Sequence, residues 1–308
     1  MKGDIIKKFL VFLFSFILFL SFLTLNIVKI DAKEVKILDN SGPSYFEDAT
    51  YYLGKLYGIK NDPEILKEYE NLFSEKDTFC IVLMYHNIYK NKRINSYDVS
   101  KNDFLKHIEI LKKYGFENIT LNDLYYFVKF NKKIPKRSVI FTFDDGFKSV
   151  MLALNILKEN GFSGVTSIIT GYIDSSWEVN SREIKTLISN KFEISLHSHK
   201  LHNFYLELLK EKDYKKIQED IKASKKYFKD NFNTEPIAFT YPKGAFDDKI
   251  ENILKNLNFK LGLGLCKNFV NKCGEDPLYI SRVEISERRR YSDPEKFEKL
   301  IKITTNSN

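Results

Sequence analysis

Two adjacent carboxylates, Asp144 and Asp145, follow the apolar run Ser138–Phe143 and precede Gly146. Side chains alternate at the end of a strand, so the two cannot point the same way. One can bind a metal while the other faces a neighbouring site. The plainer reading is a helix N-cap, since a helix is expected from Lys148 and an acidic group stabilises a first turn. Three of the five histidines, His197, His199 and His202, fall within six residues after a second apolar run, Phe192–Leu196. Imidazole is a common zinc ligand, and two His with one Asp leave an open position for water, the catalytic pattern rather than the closed structural one. The alternative is a solvated polar loop. A fourth histidine, His86, ends a third such run, Phe79–Tyr85. Its plain reading is a core histidine bonded to backbone.

These residues need elements to position them. Phe79–Tyr85 is continuously apolar, as a strand buried on both faces would be. Further strands are expected at 138–143, 165–170, 192–196, 237–241, 260–265 and 279–285. Helices are expected at 100–114, with Ser100 as cap, at 121–130, at 148–160 before Gly161, at 181–189 with Ser181 as cap, at 213–229 and at 247–257. Repeated βα units imply an α/β fold with a parallel sheet covered by helices. About seven strands suit a barrel or an open doubly wound sheet, and periodicity alone does not choose. In either, function gathers at the C-terminal strand ends. The polar residues there are His86, Asp144 with Asp145, the histidine cluster, and Tyr241-Pro242-Lys243, all on one rim.

The chain has 308 residues, 43% hydrophobic, with 26 Phe and 18 Tyr to fill a core. The net charge of +8 is spread along amphipathic segments rather than gathered in one arm, and no nucleic-acid motif is present. Three cysteines make neither a disulfide framework nor a CxxC site. At the N-terminus Lys2, Lys7 and Lys8 precede an uncharged apolar run over residues 9–28. That length spans a bilayer core of about 30 Å, and the basic flank favours a cytoplasmic N-terminus. The expected organisation is a membrane anchor or signal segment at 1–32, a connector at 33–78 and one exported domain at 79–308. Cleavage of the segment as a signal is the alternative.

The run Thr142-Phe143-Asp144-Asp145-Gly146 resembles the first motif of the polysaccharide deacetylase, or NodB-homology, family. The resemblance implies a distorted (β/α) barrel, a divalent metal (zinc above all) and an acetylated polysaccharide as substrate. It implies that Asp144 is the catalytic base and Asp145 a metal ligand. Most of the family pairs its second-motif histidines as His-Ser/Thr-x-x-His; here four residues separate His197 from His202. That variant resembles the branch acting on poly-β-1,6-N-acetylglucosamine of biofilm matrices, with His197 and His202 as ligands. Leu83-Met84-Tyr85-His86-Asn87-Ile88 resembles that branch's early strand, which implies His86 as general acid. Phe239 to Gly244 resembles the third motif, with Thr240 where Arg is common and Lys243 where Tyr is. Tyr241, Pro242 and Lys243 then line the substrate, the Lys243 N–H as oxyanion donor. Arg282 is a candidate for orienting Asp144 in place of the missing Arg, and a surface arginine is the alternative. Peptidoglycan or another envelope glycan is the second substrate expected, and a non-catalytic sugar-binding protein the reading from another class.

Overall fold

The computed structural model describes residues 73–93 and 95–306. The apolar segment at 9–28 and most of the connector lie outside the described residues. Among the described residues no helix is long and apolar enough to cross a membrane.

The main sheet follows the apolar runs. In chain order its strands are β1 (Phe79–Tyr85), β2 (Arg137–Phe143), β3 (Gly164–Ile168) and β4 (Glu193–Leu196). β5 (Ala238–Thr240), β6 (Leu261–Leu263) and β7 (Val283–Glu284) complete it. Every neighbouring pair is parallel, in the order β7-β1-β2-β3-β4-β5-β6, with a two-residue strand at Glu117–Asn118 added beside β2. This is the seven-stranded parallel α/β architecture the sequence implied, in the form of a half-barrel. Its distortion is local. The last strand, β7, pairs directly with the first, β1, but β6 meets the closing segment at one bridge, Leu263 to Ile280. The strand expected over 279–285 is therefore cut to Val283–Glu284, because its first half turns aside to reach β6.

Helices α1 (Lys101–Lys113), α2 (Leu121–Phe130), α3 (Val150–Glu159), α4 (Ser181–Ser189), α5 (Tyr214–Phe232), α6 (Asp248–Asn256) and α7 (Pro294–Asn306) accompany the strands. Ser100 caps α1 through Asp103 N. The cap of α4 is Asn180 rather than Ser181: its side chain accepts from Arg182 N and Glu183 N, and Glu183 returns a bond to Asn180 N, a full capping box. The expected helix at 148–160 starts later, at Val150, because the residues after Asp145 are used in a turn. α7 lies beyond the last element the sequence indicated.

Three strands leave the sheet in the same way. Asp145 after β2 has φ 67°, Ser198 after β4 has φ 82°, and Lys243 after β5 has φ 59°. A non-glycine residue in this region is uncommon and strained, and such residues collect at functional sites. Here they turn three chain segments out of the sheet at one rim.

One histidine belongs wholly to the core. His107 of α1 is fully buried, with Nδ1 3.1 Å from the Tyr85 hydroxyl and Nε2 3.0 Å from the Ser292 carbonyl. Burial pushes its pKa down to about 3, against the smaller upward pull of the Ser292 hydrogen bond. The folded state thus refuses a proton that the unfolded chain accepts below its ordinary value near 6.5. Stability from this group is complete above about pH 6.5 and is lost as pH falls toward 3. His107→Leu should cost about 1–3 kcal/mol at pH 7 through its lost buried hydrogen bonds. The same variant should flatten the acid slope by about one proton. Urea titrations at pH 7, 5.5 and 4 check both, and an unchanged acid slope would remove His107 as its source.

Candidate functional site

Asp145, His197 and His202 converge at the rim, their ligand atoms all within 4.8 Å of one another. Asp145 Oδ1 stands 3.5 Å from each of the two Nε2 atoms, which are 3.1 Å apart. Both histidines are buried. The hydrogen-bond network assigns their tautomers. His197 Nδ1 lies 2.8 Å from the Thr240 carbonyl, which can only accept, so Nδ1 carries the proton and Nε2 a lone pair. His202 Nδ1 faces Asn203 Oδ1 at 3.3 Å, with the same consequence. Burial, helped by His197, pushes His202 down to about 4, so it is a neutral imidazole at physiological pH. Burial alone would raise Asp145, but the nearby histidines, His197 first, hold it below the usual range when they carry charge. Two lone pairs and a carboxylate oxygen thus face one point, an arrangement that repels itself unless a cation lies between. Three donors around one ion at about 2.0–2.1 Å in tetrahedral geometry sit about 3.3 Å apart, close to the spacing found. The residues present fit a divalent metal.

The neighbouring carboxylate points elsewhere. Asp144 is buried and meets Arg282 in a two-pronged pair, Nη1 to Oδ1 at 2.7 Å and Nη2 to Oδ2 at 2.9 Å. Burial would raise the Asp144 pKa; the guanidinium overrides it and holds the carboxyl well below the ordinary range. Arg282 is 1% exposed, so it is no surface arginine. It is fixed further by the Gly264 carbonyl at 2.9 Å and the Thr142 hydroxyl at 3.1 Å. Neither carboxylate caps α3, whose N-cap is Ser149. Sequence reasoning missed the hydroxyls behind the pair. Ser167 donates to Asp144 Oδ1 at 3.0 Å, and Thr240 lies 2.8 Å from both Ser167 and Ser195. The signal was present as a polar residue at a buried position in each of β3, β4 and β5.

His86 follows β1 near enough that its charge lowers both Asp144 and Asp145. Its ring packs on Tyr97 with centroids 4.8 Å apart. Its Nδ1 is buried without a hydrogen-bond partner among the described residues, which a core histidine held by backbone would have. His199 stands apart from the cluster, its Nδ1 2.8 Å from the Thr170 hydroxyl. The third-motif residues divide. The Tyr241 side chain is buried and donates to the Leu278 carbonyl at 2.6 Å, so it is committed to packing. Pro242 is buried, whereas Lys243 is exposed and near enough to lower the His202 pKa.

Residues 131–262 match the family model described as polysaccharide deacetylase. A Bacillus subtilis protein named for polysaccharide deacetylase, YxkH, is 25% identical over 191 residues, 62% of this chain and 66% of that protein's length. Among solved structures, the Streptococcus pyogenes deacetylase PplD in complex with acetate is 21% identical with a TM-score of 0.61, covering 72% of this chain and 98% of PplD. IcaB from Ammonifex degensii is 19% identical with a TM-score of 0.59, covering 72% of this chain and 99% of IcaB. These two share the fold with this chain.

The Arg282–Asp144 pair has a measurable signature. Removing one partner of a buried ion pair leaves an uncompensated charge and costs about 3–5 kcal/mol, whereas removing both costs much less. Arg282→Met should lose stability in that range in urea denaturation. Arg282→Met combined with Asp144→Leu should recover a large part of the loss. Purely additive losses would mean that the two charges do not depend on each other.

Proposed function

We propose, from the premise that this chain carries a polysaccharide deacetylase domain over residues 131–262, that it hydrolyses N-acetyl groups of N-acetylglucosamine in an extracellular polysaccharide. The observation that carries the reading is the pairing, on one rim, of the Asp145–His197–His202 cluster with the Arg282-held carboxylate of Asp144. The preferred polymer is poly-β-1,6-N-acetylglucosamine. Its support is the four-residue gap between His197 and His202 and the histidine that follows the first strand.

Asp145, His197 and His202 would hold the metal. Zinc suits a set of two imidazole nitrogens and one carboxylate oxygen. Bound there, it would supply Lewis-acid polarisation of the acetyl carbonyl and a water of lowered pKa. The chain's own residues do the rest. Asp144 takes a proton from the attacking water. Its Oδ1 is occupied by Arg282 and Ser167, and its Oδ2 by Arg282 alone, so the accepting lone pair is on Oδ2. Arg282 keeps the carboxylate ionised and fixes its plane. The Lys243 N–H stabilises the oxyanion. His86 protonates the departing amine, because an amide anion is too basic to be expelled at neutral pH. The products are acetate and a cationic amino sugar.

Acetate release from β-1,6- and β-1,4-linked N-acetylglucosamine oligomers, with and without chelator, tests the reading. Faster release from the β-1,6 series, abolished by chelator and by Asp144→Asn with metal still bound, is expected. His86→Ala should lower kcat by about 10²–10⁴-fold with little change in metal content. A preference for β-1,4 oligomers would redirect the substrate to peptidoglycan-type glycans, and binding without release would leave a sugar-binding protein.

The reading places the domain outside the cell, held at the membrane by residues 9–28, on the strength of that uncharged run and its basic flank. The full-length protein should therefore stay with membranes under high salt. Recovery of the whole population as a soluble exported form beginning near residue 33 would replace the anchor with a cleaved signal.

A further inference from the structure

His197 and His202 are joined by four residues with no helix or strand to shape them, yet their Nε2 atoms meet at 3.1 Å. The shape comes from another element. Asp220, on α5, is 8% exposed and inserts its carboxylate into the curve of this connection. Its Oδ2 accepts from the Ser198 hydroxyl at 2.5 Å and from His199 N at 2.7 Å. Its Oδ1 accepts from Lys200 N at 2.8 Å and from Leu201 N at 3.1 Å. Three successive backbone N–H groups aimed at one point form an anion-binding concavity, and here a side chain of the same protein fills it. Each carboxylate oxygen holds two donors, so both are fully used.

The same face of α5 supplies a second tie one turn later. Ser224 donates to the Ser198 carbonyl at 3.3 Å, which also accepts from Thr170 N at 3.2 Å. Gly171 N then bonds the His199 carbonyl at 2.9 Å, and a Cβ at Gly171 would lie 2.5 Å from that oxygen. The connection is thus pinned at both of its polar edges. Ser198, at φ 82°, has a conformation that local preference does not supply. Without a carboxylate at its centre, three N–H groups and a hydroxyl would lose their acceptor.

We infer that Asp220 is a positioning residue for the metal centre, setting the separation and aim of His197 and His202 and hence the affinity for a divalent cation. It touches neither the metal ligand atoms nor the reacting groups. The inference rests on the reading of Asp145, His197 and His202 as a metal site.

Asp220→Asn is the discriminating variant. It is isosteric, but its amide nitrogen would face two donors that the carboxylate oxygen now accepts from. Zinc affinity is measured by competition with a chromophoric chelator, and Tm is measured in chelator and in zinc. The expected result is zinc binding weakened by about 10–100-fold, the usual cost of disturbing the groups that orient a metal's ligands. The Tm gain on adding zinc should shrink with it. A merely structural role would lower Tm in chelator and leave zinc affinity and the zinc-induced gain alone; that result would overturn the inference. Should Asp220→Asn not fold, Ser198→Ala decides, since it deletes one contact and keeps the three backbone bonds. A several-fold loss of zinc affinity supports the inference, and unchanged affinity overturns it. Wild-type protein that binds no divalent metal would instead sink the underlying reading of the cluster.

Discussion

Asp144 and Arg282 are separated by 138 residues and bury opposite charges against each other. Neither could be buried alone, because an isolated charge taken out of water costs several kcal/mol even after the protein relaxes. The pair therefore forms only if the second strand and the segment before the last stand at the same height on either side of β1. The ladders of β1 with β2 and with β7 set that height. Where β6 meets the closing segment, the sheet is joined by one bridge, Leu263 to Ile280. Arg282 adds what the ladder lacks: its Nε reaches the Gly264 carbonyl after β6, and its Nη1 reaches Thr142 and Asp144 at the end of β2. One guanidinium thus links the segment after β6 to the end of β2 at the rim where the candidate site sits.

The neighbouring carboxylates show how one turn makes two chemical environments. Asp144 continues from β2 and points to Arg282. Asp145 takes φ 67°, which swings its carboxylate toward the histidines. Gly146, also at positive φ, lets the chain continue beneath Glu178, whose Oε1 would lie 2.6 Å from any Cβ there. A larger residue at 146 would displace that contact and, with it, the turn that separates the two Asp side chains. Burial pushes Glu178 itself up to about 9, so it is a neutral acid at physiological pH and adds no third negative charge beside the pair.

Much of this was legible in the sequence, for physical reasons that differ from place to place. The strands were readable because a sheet covered on both faces demands uninterrupted apolar runs, as in Phe79–Tyr85, where every residue is buried. The rim was readable because polar residues follow those runs. Asn180 was passed over as a cap because Ser181 beside it is an equally good capping type, and only backbone conformation separates them. The closing strand was overestimated because its apolar residues serve two different neighbours in succession. Asp220 was invisible: on a Lys-rich amphipathic helix it reads as one more solvated acid, and its partners are backbone N–H groups that carry no sequence signature.

The segment that resembles the third motif shows how a departure at one position can be met by a residue from elsewhere in the chain. Thr240 stands where the resemblance to the third motif implies Arg, and it is fully buried, with its hydroxyl 2.8 Å from Ser167 and Ser195. That space is already closed by hydroxyls, and one of them, Ser167, donates to Asp144. A second guanidinium at 240 would have to displace this network and would set two buried cations against one carboxylate. The arrangement found keeps the charges at one to one. The cation enters from the segment before β7, and position 240 on β5 carries a neutral hydroxyl joined to Ser167 and Ser195. The Thr240 carbonyl then remains to accept from His197 Nδ1 at 2.8 Å, which fixes the tautomer that leaves Nε2 open toward Asp145 and His202. Residue 240 thus serves both halves of the site at once, its side chain the Asp144 network and its backbone the histidine cluster.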